Sequence, residues 1–176
     1  MDKPKILGID LETYSDVDLG KCGLYKYVEG DFHILLFAYA FDDEDVRIVD
    51  MACGETVPKE VLDAIDDPEV IKTAWNAQFE RTCIGHYLGR VLSPDSWRCS
   101  MVHAASLSLP LALKNAAKVL KTGEQKDKAG ENLIKFFSVP CKPTKSNGRR
   151  ARNLPGHDPE KWQQFKDYCV QDVRTE

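Results

Sequence analysis

The sequence predicts an α/β domain, and two patterns of apolar residues support that fold class. In the first 51 residues, three segments rich in β-branched and aromatic residues lie close together, as expected of neighbouring antiparallel strands. Further along, a buried strand leads directly into a capped helix. With 176 residues, the chain is long enough to form one domain with its own hydrophobic core.

Most of the predicted strands lie near the start of the chain. Residues 5–12 begin with apolar residues and end with alternating polar and apolar ones, which predicts a strand. Residues 32–41 have the strongest strand pattern of the chain. Residues 46–51 follow after an acidic turn, and residues 25–28 predict a weaker strand. We expect the three strong segments to pair as an antiparallel meander.

The middle of the chain predicts alternating helix and strand. Pro58 begins a short helix that ends near Ile65, because proline suits the first helical turn. Residues 70–75 then form a buried strand. Asn76, a favourable N-cap, begins a helix over residues 77–88.

The last third of the chain is predicted to be mainly helical. Short helices are expected over residues 101–120, with a break near Pro110, and another helix is expected over residues 126–137. Residues 138–156 contain three prolines and two glycines without an apolar pattern, which predicts a long loop. Residues 158–176 begin Asp-Pro-Glu and are predicted to stay helical to the last residue.

Composition excludes several classes of protein. A chain that is 43% hydrophobic and 30% charged is neither disordered nor of low complexity. Its longest apolar stretch, residues 34–41, is far shorter than the roughly 20 residues that cross a bilayer. We expect neither a membrane span nor a secretory signal. The six cysteines are at least 16 residues apart, so we expect reduced thiols and no zinc site.

The net charge of −4 conceals an uneven distribution. Residues 1–60 carry 14 acidic and 6 basic side chains, whereas residues 61–176 carry 14 acidic and 18 basic ones. A negative sum argues against a nucleic-acid partner, but the basic second half permits one.

Four carboxylates occupy positions that favour a shared site. Asp10 and Glu12 lie two apart near the end of a strand, so they share one face. Tyr168 and Asp172 lie four apart on one helical face, and Glu80 lies near the beginning of its helix. Gathered carboxylates repel one another unless divalent cations such as Mg²⁺ or Mn²⁺ offset the charge. Each pattern alone is common on protein surfaces, but their conjunction is more specific.

These residues also carry a resemblance to a known family. Residues 9–13, Ile-Asp-Leu-Glu-Thr, resemble the first motif of the DEDD superfamily of 3′–5′ exonucleases. Residues 76–80 resemble the second motif, and Tyr168-x-x-x-Asp172 resembles the third motif of the tyrosine-containing subclass. The similarity extends to the proofreading domain of bacteriophage-type family A DNA polymerases through three further segments, namely residues 97–103, 126–130 and 139–145.

The resemblance implies a fold and a set of site residues. The fold is ribonuclease H-like, with a mixed five-stranded sheet flanked by helices. Two Mg²⁺ or Mn²⁺ ions are expected, with Tyr168 holding the attacking water. The implied metal ligands are Asp10, which bridges both ions, Glu12 and Asp172 on the ion that activates water, and Glu80 on the second ion. The positions implied to lie close to the terminal nucleotides are Thr13, Asn76 and Phe79.

Glu80 departs from the family pattern, which usually has aspartate at this position. The additional methylene group moves the carboxylate by about one carbon–carbon bond, and metal geometry is sensitive on that scale. We expect a weaker or water-bridged second metal. The alternative is that Glu80 only interacts favourably with the helix dipole and binds no metal.

A basic segment, residues 142–152, carries five basic and no acidic side chains. We expect phosphate contacts from four of them, which would add salt-sensitive affinity for single-stranded DNA. The alternatives are a solvated loop without a partner and a loop that docks on a polymerase domain. The four residues are Lys142, Lys145, Arg149 and Arg150.

The resulting hypothesis is a metal-dependent exonuclease that removes nucleoside monophosphates from single-stranded or frayed DNA 3′ ends. Residues 1–176 would form one proofreading domain at the N-terminal end of a longer phage-type polymerase, and the isolated domain would be a monomer. The expected location is the cytoplasm of a bacterial host, from a phage or a prophage. Two alternatives remain: an exoribonuclease of the same superfamily, and a degenerate module that only binds DNA ends.

Overall fold

Five strands form one mixed sheet in the computed structural model, which describes residues 4–122 and 129–176. The strand order is β3-β2-β1-β4-β5; β1 pairs with β2 and β2 with β3 in antiparallel fashion, while β1–β4 and β4–β5 are parallel. The predicted meander and the mixed five-stranded sheet are therefore confirmed. The strands are β1 (Ile6–Tyr14), β2 (His33–Phe41), β3 (Arg47–Val49), β4 (Ile71–Ala74) and β5 (Trp97–Cys99).

Eight α-helices and two short 3₁₀-helices, Met51–Cys53 and Pro155–His157, lie within the described ranges, and most of the α-helices agree with the sequence prediction. The first part of the helix predicted over residues 126–137 lies outside the described residues. None of the described helices is both long and apolar enough to cross a bilayer. The helices are α1 (Leu19–Cys22), α2 (Leu24–Glu29), α3 (Lys59–Asp66), α4 (Ala77–Tyr87), α5 (Ser100–Ser106), α6 (Leu113–Leu120), α7 (Ala129–Phe137) and α8 (Pro159–Thr175).

The weak strand predicted at residues 25–28 is wrong, because this segment belongs to α2. Four residues are too few for apolar periodicity to separate strand from helix. Tertiary contacts favour the helix: Tyr27 and Val28 are buried, and the Tyr27 hydroxyl lies 2.8 Å from Thr13 Oγ1. The fifth strand is instead the short β5, which the sequence analysis did not predict.

Two apolar clusters cover opposite faces of the sheet. Leu7, Ile9 and Leu11 of β1 pack into the cluster that includes buried side chains of α2, α3 and α4. The other cluster includes Phe137 of α7 and the buried side chains of α8. Because side chains alternate along a strand, β1 residues between its apolar ones face α8, which contacts both β1 and β2.

Asp50 fixes α8 to the outer part of the sheet. Only 4% of Asp50 is exposed; its Oδ2 accepts a hydrogen bond from Trp162 Nε1 at 2.8 Å and lies 3.4 Å from Lys166 Nζ. Its Oδ1 also accepts a hydrogen bond from the Cys53 amide. These contacts tie the helix that carries Tyr168 to the end of β3.

Replacing Asp50 with alanine is expected to lower the free energy of unfolding by about 2–3 kcal/mol, because buried donors lose their charged acceptor. For a domain of this size the melting temperature should fall by about 5–10 °C. Thermal unfolding measures the effect. Asp43→Ala, in an exposed turn, is the matched control; an equal loss in both variants would contradict the assigned anchor.

Candidate metal and catalytic site

Asp10 and Glu12 lie on the central strand β1, on the face toward α8. Asp10 is half-buried and Glu12 is buried. The pairing with β2 is irregular between Glu12 and Thr13. Four successive residues of β1, Asp10 to Thr13, line one pocket.

The last helix, α8, brings two predicted site residues to β1. Tyr168 is half-buried and hydrogen-bonds through its hydroxyl to Asp172, which is 6% exposed. Burial raises the pKa of Tyr168, and the charges of Asp172, Glu12 and Asp10 raise it further. The phenol therefore stays protonated, so that it can act as a hydrogen-bond donor in the site.

Glu80 reaches the same site from the first turn of α4. It is 5% exposed, and its Oε2 accepts no hydrogen bond from any residue of ranges 4–122 and 129–176. Burial, followed by the charge of Asp10, raises the pKa of Glu80 well above its usual value. A buried carboxylate oxygen without a donor is destabilising unless a ligand satisfies it.

Seven of the predicted site residues line one pocket of about 260 Å³. No lysine or arginine is among the described residues that line it. A hard divalent cation with oxygen ligands fits this donor set and would satisfy Glu80 Oε2. The predicted residues that line the pocket are Asp10, Glu12, Thr13, Phe79, Glu80, Tyr168 and Asp172.

Cys169 is a site residue that the sequence analysis missed. Its thiol is fully buried and donates to Asp10 Oδ2 at 3.4 Å. Sγ and one carboxylate oxygen each of Asp10 and Glu12 lie within 4.8 Å of one another. Burial raises the pKa of Cys169 well above its usual value, with Asp10 and Glu12 as further causes. The thiol is therefore protonated; its position three residues before Asp172 was the available signal.

The three predicted nucleotide contacts occupy two neighbouring pockets. Thr13 is buried beside Tyr27, and Phe79 is half-buried with its ring 6.2 Å from that of Tyr27. Asn76 is exposed and makes no side-chain capping hydrogen bond. It lines a second pocket of about 410 Å³, which shares Tyr168 with the carboxylate pocket.

The basic segment is internally ordered, and its arginines differ in role. Lys142, Lys145 and Arg149 are exposed. The Arg150 guanidinium donates to Asn153 Oδ1 at 2.8 Å and to a backbone carbonyl, so it is engaged in holding the loop together. The fifth basic side chain, Arg152, lies with its guanidinium carbon 3.9 Å from the centre of the Tyr14 ring. The end of the segment therefore contacts the end of β1.

Comparison with known proteins gives one sequence relative and several structural ones. A DNA polymerase of Bacillus phage SP02 is 61% identical over 173 residues, which are 98% of this chain but 27% of that protein. The chain thus spans about a quarter of the length of that relative. No protein-family profile matches the chain.

Two solved nucleases share the fold. RNase D of Trypanosoma brucei, in complex with RNA U12, aligns with a TM-score of 0.60 and 18% identity, over 98% of this chain and 52% of that one. NrnC of Brucella melitensis with bound Mg²⁺ aligns with a TM-score of 0.58 and 11% identity, over 98% of this chain and 70% of that one. The ribonuclease H-like fold, with its mixed sheet and flanking helices, is confirmed.

Proposed function

Because the chain is homologous to part of a bacteriophage DNA polymerase and has the ribonuclease H-like fold of DEDD exonucleases, we propose that it is a metal-dependent 3′–5′ exonuclease. It acts on single-stranded or frayed DNA 3′ ends and releases nucleoside monophosphates during proofreading. The observation that carries this proposal is the single pocket in which four carboxylates and Tyr168 meet.

The proposed roles are those that the family resemblance implies, and they are supported by the pocket that these side chains share. Two Mg²⁺ or Mn²⁺ ions, when bound, would supply the activation of water and the stabilisation of the leaving oxygen. Asp10 is central, because its charge acts on Glu80, Tyr168 and Cys169; it would contact both ions. Glu12 and Asp172 would hold the ion next to Tyr168, and Glu80 the other.

Tyr168 would orient the attacking water. Its protonated hydroxyl is held by Asp172 at the wall of the pocket, where its oxygen can accept a hydrogen bond from a water molecule. Thr13 and Phe79 would line the place of the terminal nucleotide, and Asn76 would contact it from the neighbouring pocket.

DNA is the proposed substrate, since the relative at 61% identity is a DNA polymerase. The structural similarity to an RNase D in complex with RNA favours RNA as the alternative. We also propose that residues 1–176 form one domain joined to a polymerase in the natural chain, active in the cytoplasm of a bacterial host. Glu80 lines the pocket with the other three carboxylates, which supports an enzyme over a degenerate binding module.

The proposal is tested with DNA and RNA oligonucleotides of one sequence, labelled at the 5′ end and incubated with Mn²⁺. A ladder that shortens from the 3′ end, with nucleoside monophosphates released from DNA faster than from RNA, is the expected result. A block on the 3′ end should stop it. Preferential digestion of the RNA oligonucleotide would support the exoribonuclease. Binding of the DNA and RNA oligonucleotides without cleavage of either would support the degenerate binding module.

Replacing Lys142, Lys145 and Arg149 with alanine is expected to weaken binding of single-stranded DNA and to flatten its salt dependence. Each lost phosphate contact lowers the slope of log K against log salt by about 0.7. Arg150 is left intact because it holds the loop together. Fluorescence anisotropy over a salt series measures the slope.

The control for this variant removes three exposed lysines elsewhere, Lys5, Lys26 and Lys59, with the same change of net charge. Their ion pairs with Glu29 and Asp63 are exposed and contribute little stability. A slope that falls equally in both variants indicates a general charge effect. An unchanged slope in the loop variant would contradict phosphate binding by the loop. It would favour one of the two alternatives, a solvated segment without a partner or a surface that docks on a polymerase domain.

A further inference from the structure

Gly130, near the beginning of α7, lies against the ring of Tyr168. A Cβ atom built at Gly130 would lie 2.8 Å from Tyr168 Cζ, and closer still to Cδ2 and Cε2. Real Cβ atoms essentially never approach other heavy atoms below 3.0 Å. The helix backbone therefore contacts the tyrosine at a distance that only glycine allows.

The backbone conformation does not explain the glycine. Gly130 is helical, a conformation that any residue adopts, and glycine is among the least favourable residues in a helix while alanine is the most favourable. The close approach to Tyr168 is the feature of this position that requires the absence of a side chain.

The α7 side of the contact cannot yield easily. The Tyr168 ring is nearly parallel to Phe165, at 14° and 6.4 Å, and Phe165 stacks on Phe137 of α7 at 18° and 5.4 Å. Phe137 and Phe165 are fully buried. An outward shift of α7 would open that stack in a close-packed core.

The tyrosine is the part that has room to move. Its side chain lines the carboxylate pocket on one side and the neighbouring pocket, with Asn76 and Met101, on the other. A methyl group at position 130 would therefore rotate the ring into one of these spaces. The hydroxyl would then leave its position beside Asp172.

We propose that Gly130 is a positioning residue for Tyr168: the bare helix backbone seats the ring so that its hydroxyl faces Asp172 in the carboxylate pocket. The catalytic consequence rests on the proposed exonuclease function. The packing itself does not, and it can be tested separately.

The first experiment measures steady-state hydrolysis of single-stranded DNA by Gly130→Ala. A displacement on the scale of an ångström costs up to about a hundredfold in rate, so kcat should fall 10- to 100-fold, with KM and Mn²⁺ affinity changed less than threefold. Gly156→Ala is the matched control, because a Cβ there meets nothing within 4 Å. An unchanged kcat in Gly130→Ala would overturn the proposal.

A double-mutant cycle tests whether Gly130 acts through the tyrosine. In a Tyr168→Phe background the hydroxyl is absent, so adding Gly130→Ala should reduce kcat less than threefold further. A full additional 10- to 100-fold loss would show that Gly130 affects the rate by another route and would overturn the assignment.

A second cycle uses stability alone and holds even if the wild-type chain cleaves neither DNA nor RNA. Gly130→Ala should lower the melting temperature in the wild-type background because of the clash. In a Tyr168→Ala background the clash is removed, and the same substitution should raise the melting temperature through helix propensity. A decrease of equal size in both backgrounds would overturn the packing assignment. Inactivity of the wild type with a reversal of sign would instead refute only the exonuclease proposal.

Discussion

Replacing Asp10 with asparagine is expected to reduce the rate of DNA hydrolysis about a thousandfold while the protein remains folded. Asp10 lines the pocket, and its charge acts on Glu80, Tyr168 and Cys169. The metal ions of such sites stabilise the transition state by several kcal/mol, and about 4 kcal/mol corresponds to a thousandfold in rate. Release of nucleotide from a 3′-labelled single strand measures the loss.

The thermal stability of Asp10→Asn should not fall together with its activity. Asparagine has nearly the shape of aspartate but removes one of the clustered negative charges, so the melting temperature in the absence of metal should be unchanged or higher. Asp18→Asn is the control for the loss of one charge. Asp18 is exposed and caps α1 through the Lys21 amide, a role that asparagine fulfils equally well. Wild-type activity in Asp10→Asn would refute the proposed site.

The arrangement of the site was largely predictable because it depends on local periodicity. The two-residue spacing of Asp10 and Glu12 places both on one face of a strand, and the four-residue spacing of Tyr168 and Asp172 places both on one face of a helix. The structure brings these residues and Glu80 to one pocket. Their roles as metal ligands stay predictions.

The residues that were missed depend on contacts between distant parts of the chain. Cys169 meets Asp10 across 159 positions, and the importance of Gly130 lies in a ring 38 positions further along the chain. In the helical segment at residues 25–28, Tyr27 contacts Thr13, which lies 14 positions earlier on β1. No local sequence pattern predicts these contacts. The apolar periodicity of a strand or a helix, by contrast, can be recognised within the segment itself.

The uneven charge of the chain also has a structural counterpart. The acidic excess of the first 60 residues includes Asp10 and Glu12 of the pocket, whereas residues 96–176 carry 15 basic and 8 acidic side chains. The exposed members of the basic segment belong to that region. A net charge of −4 is therefore compatible with the proposed DNA substrate, because the sum hides two regions of opposite sign.

Removing divalent ions is expected to abolish hydrolysis and to lower the stability of the protein at alkaline pH. Chelation with EDTA should reduce activity to background, and added Mn²⁺ should restore it. An ion that binds only the folded state at a hundred times its Kd adds about 2.7 kcal/mol, or about 5–10 °C for a domain of this size. Differential scanning fluorimetry with and without Mn²⁺ measures this shift.

The pH dependence of that shift follows from Glu80. Its pKa in the folded state is raised well above the usual 4.5 by burial and by Asp10. Without metal, the carboxyl favours folding below pH 4.5, and this contribution is lost as the pH rises through the raised pKa. Metal binding requires the charged form, so affinity increases with pH. The Mn²⁺-induced rise in melting temperature should therefore be larger at pH 8 than at pH 5.5.

Glu80→Gln separates this carboxyl from the other titrating groups. The amide cannot ionise, so the melting temperature in EDTA should fall less between pH 5.5 and pH 8 than in the wild type, and the Mn²⁺ shift at pH 8 should shrink. Glu60→Gln, on the exposed side of α3, should behave as the wild type. If Mn²⁺ raises the melting temperature equally in the wild type and in Glu80→Gln at both pH values, Glu80 binds no metal and only interacts favourably with the dipole of α4. In that case the ion is held by Asp10, Glu12 and Asp172 without it.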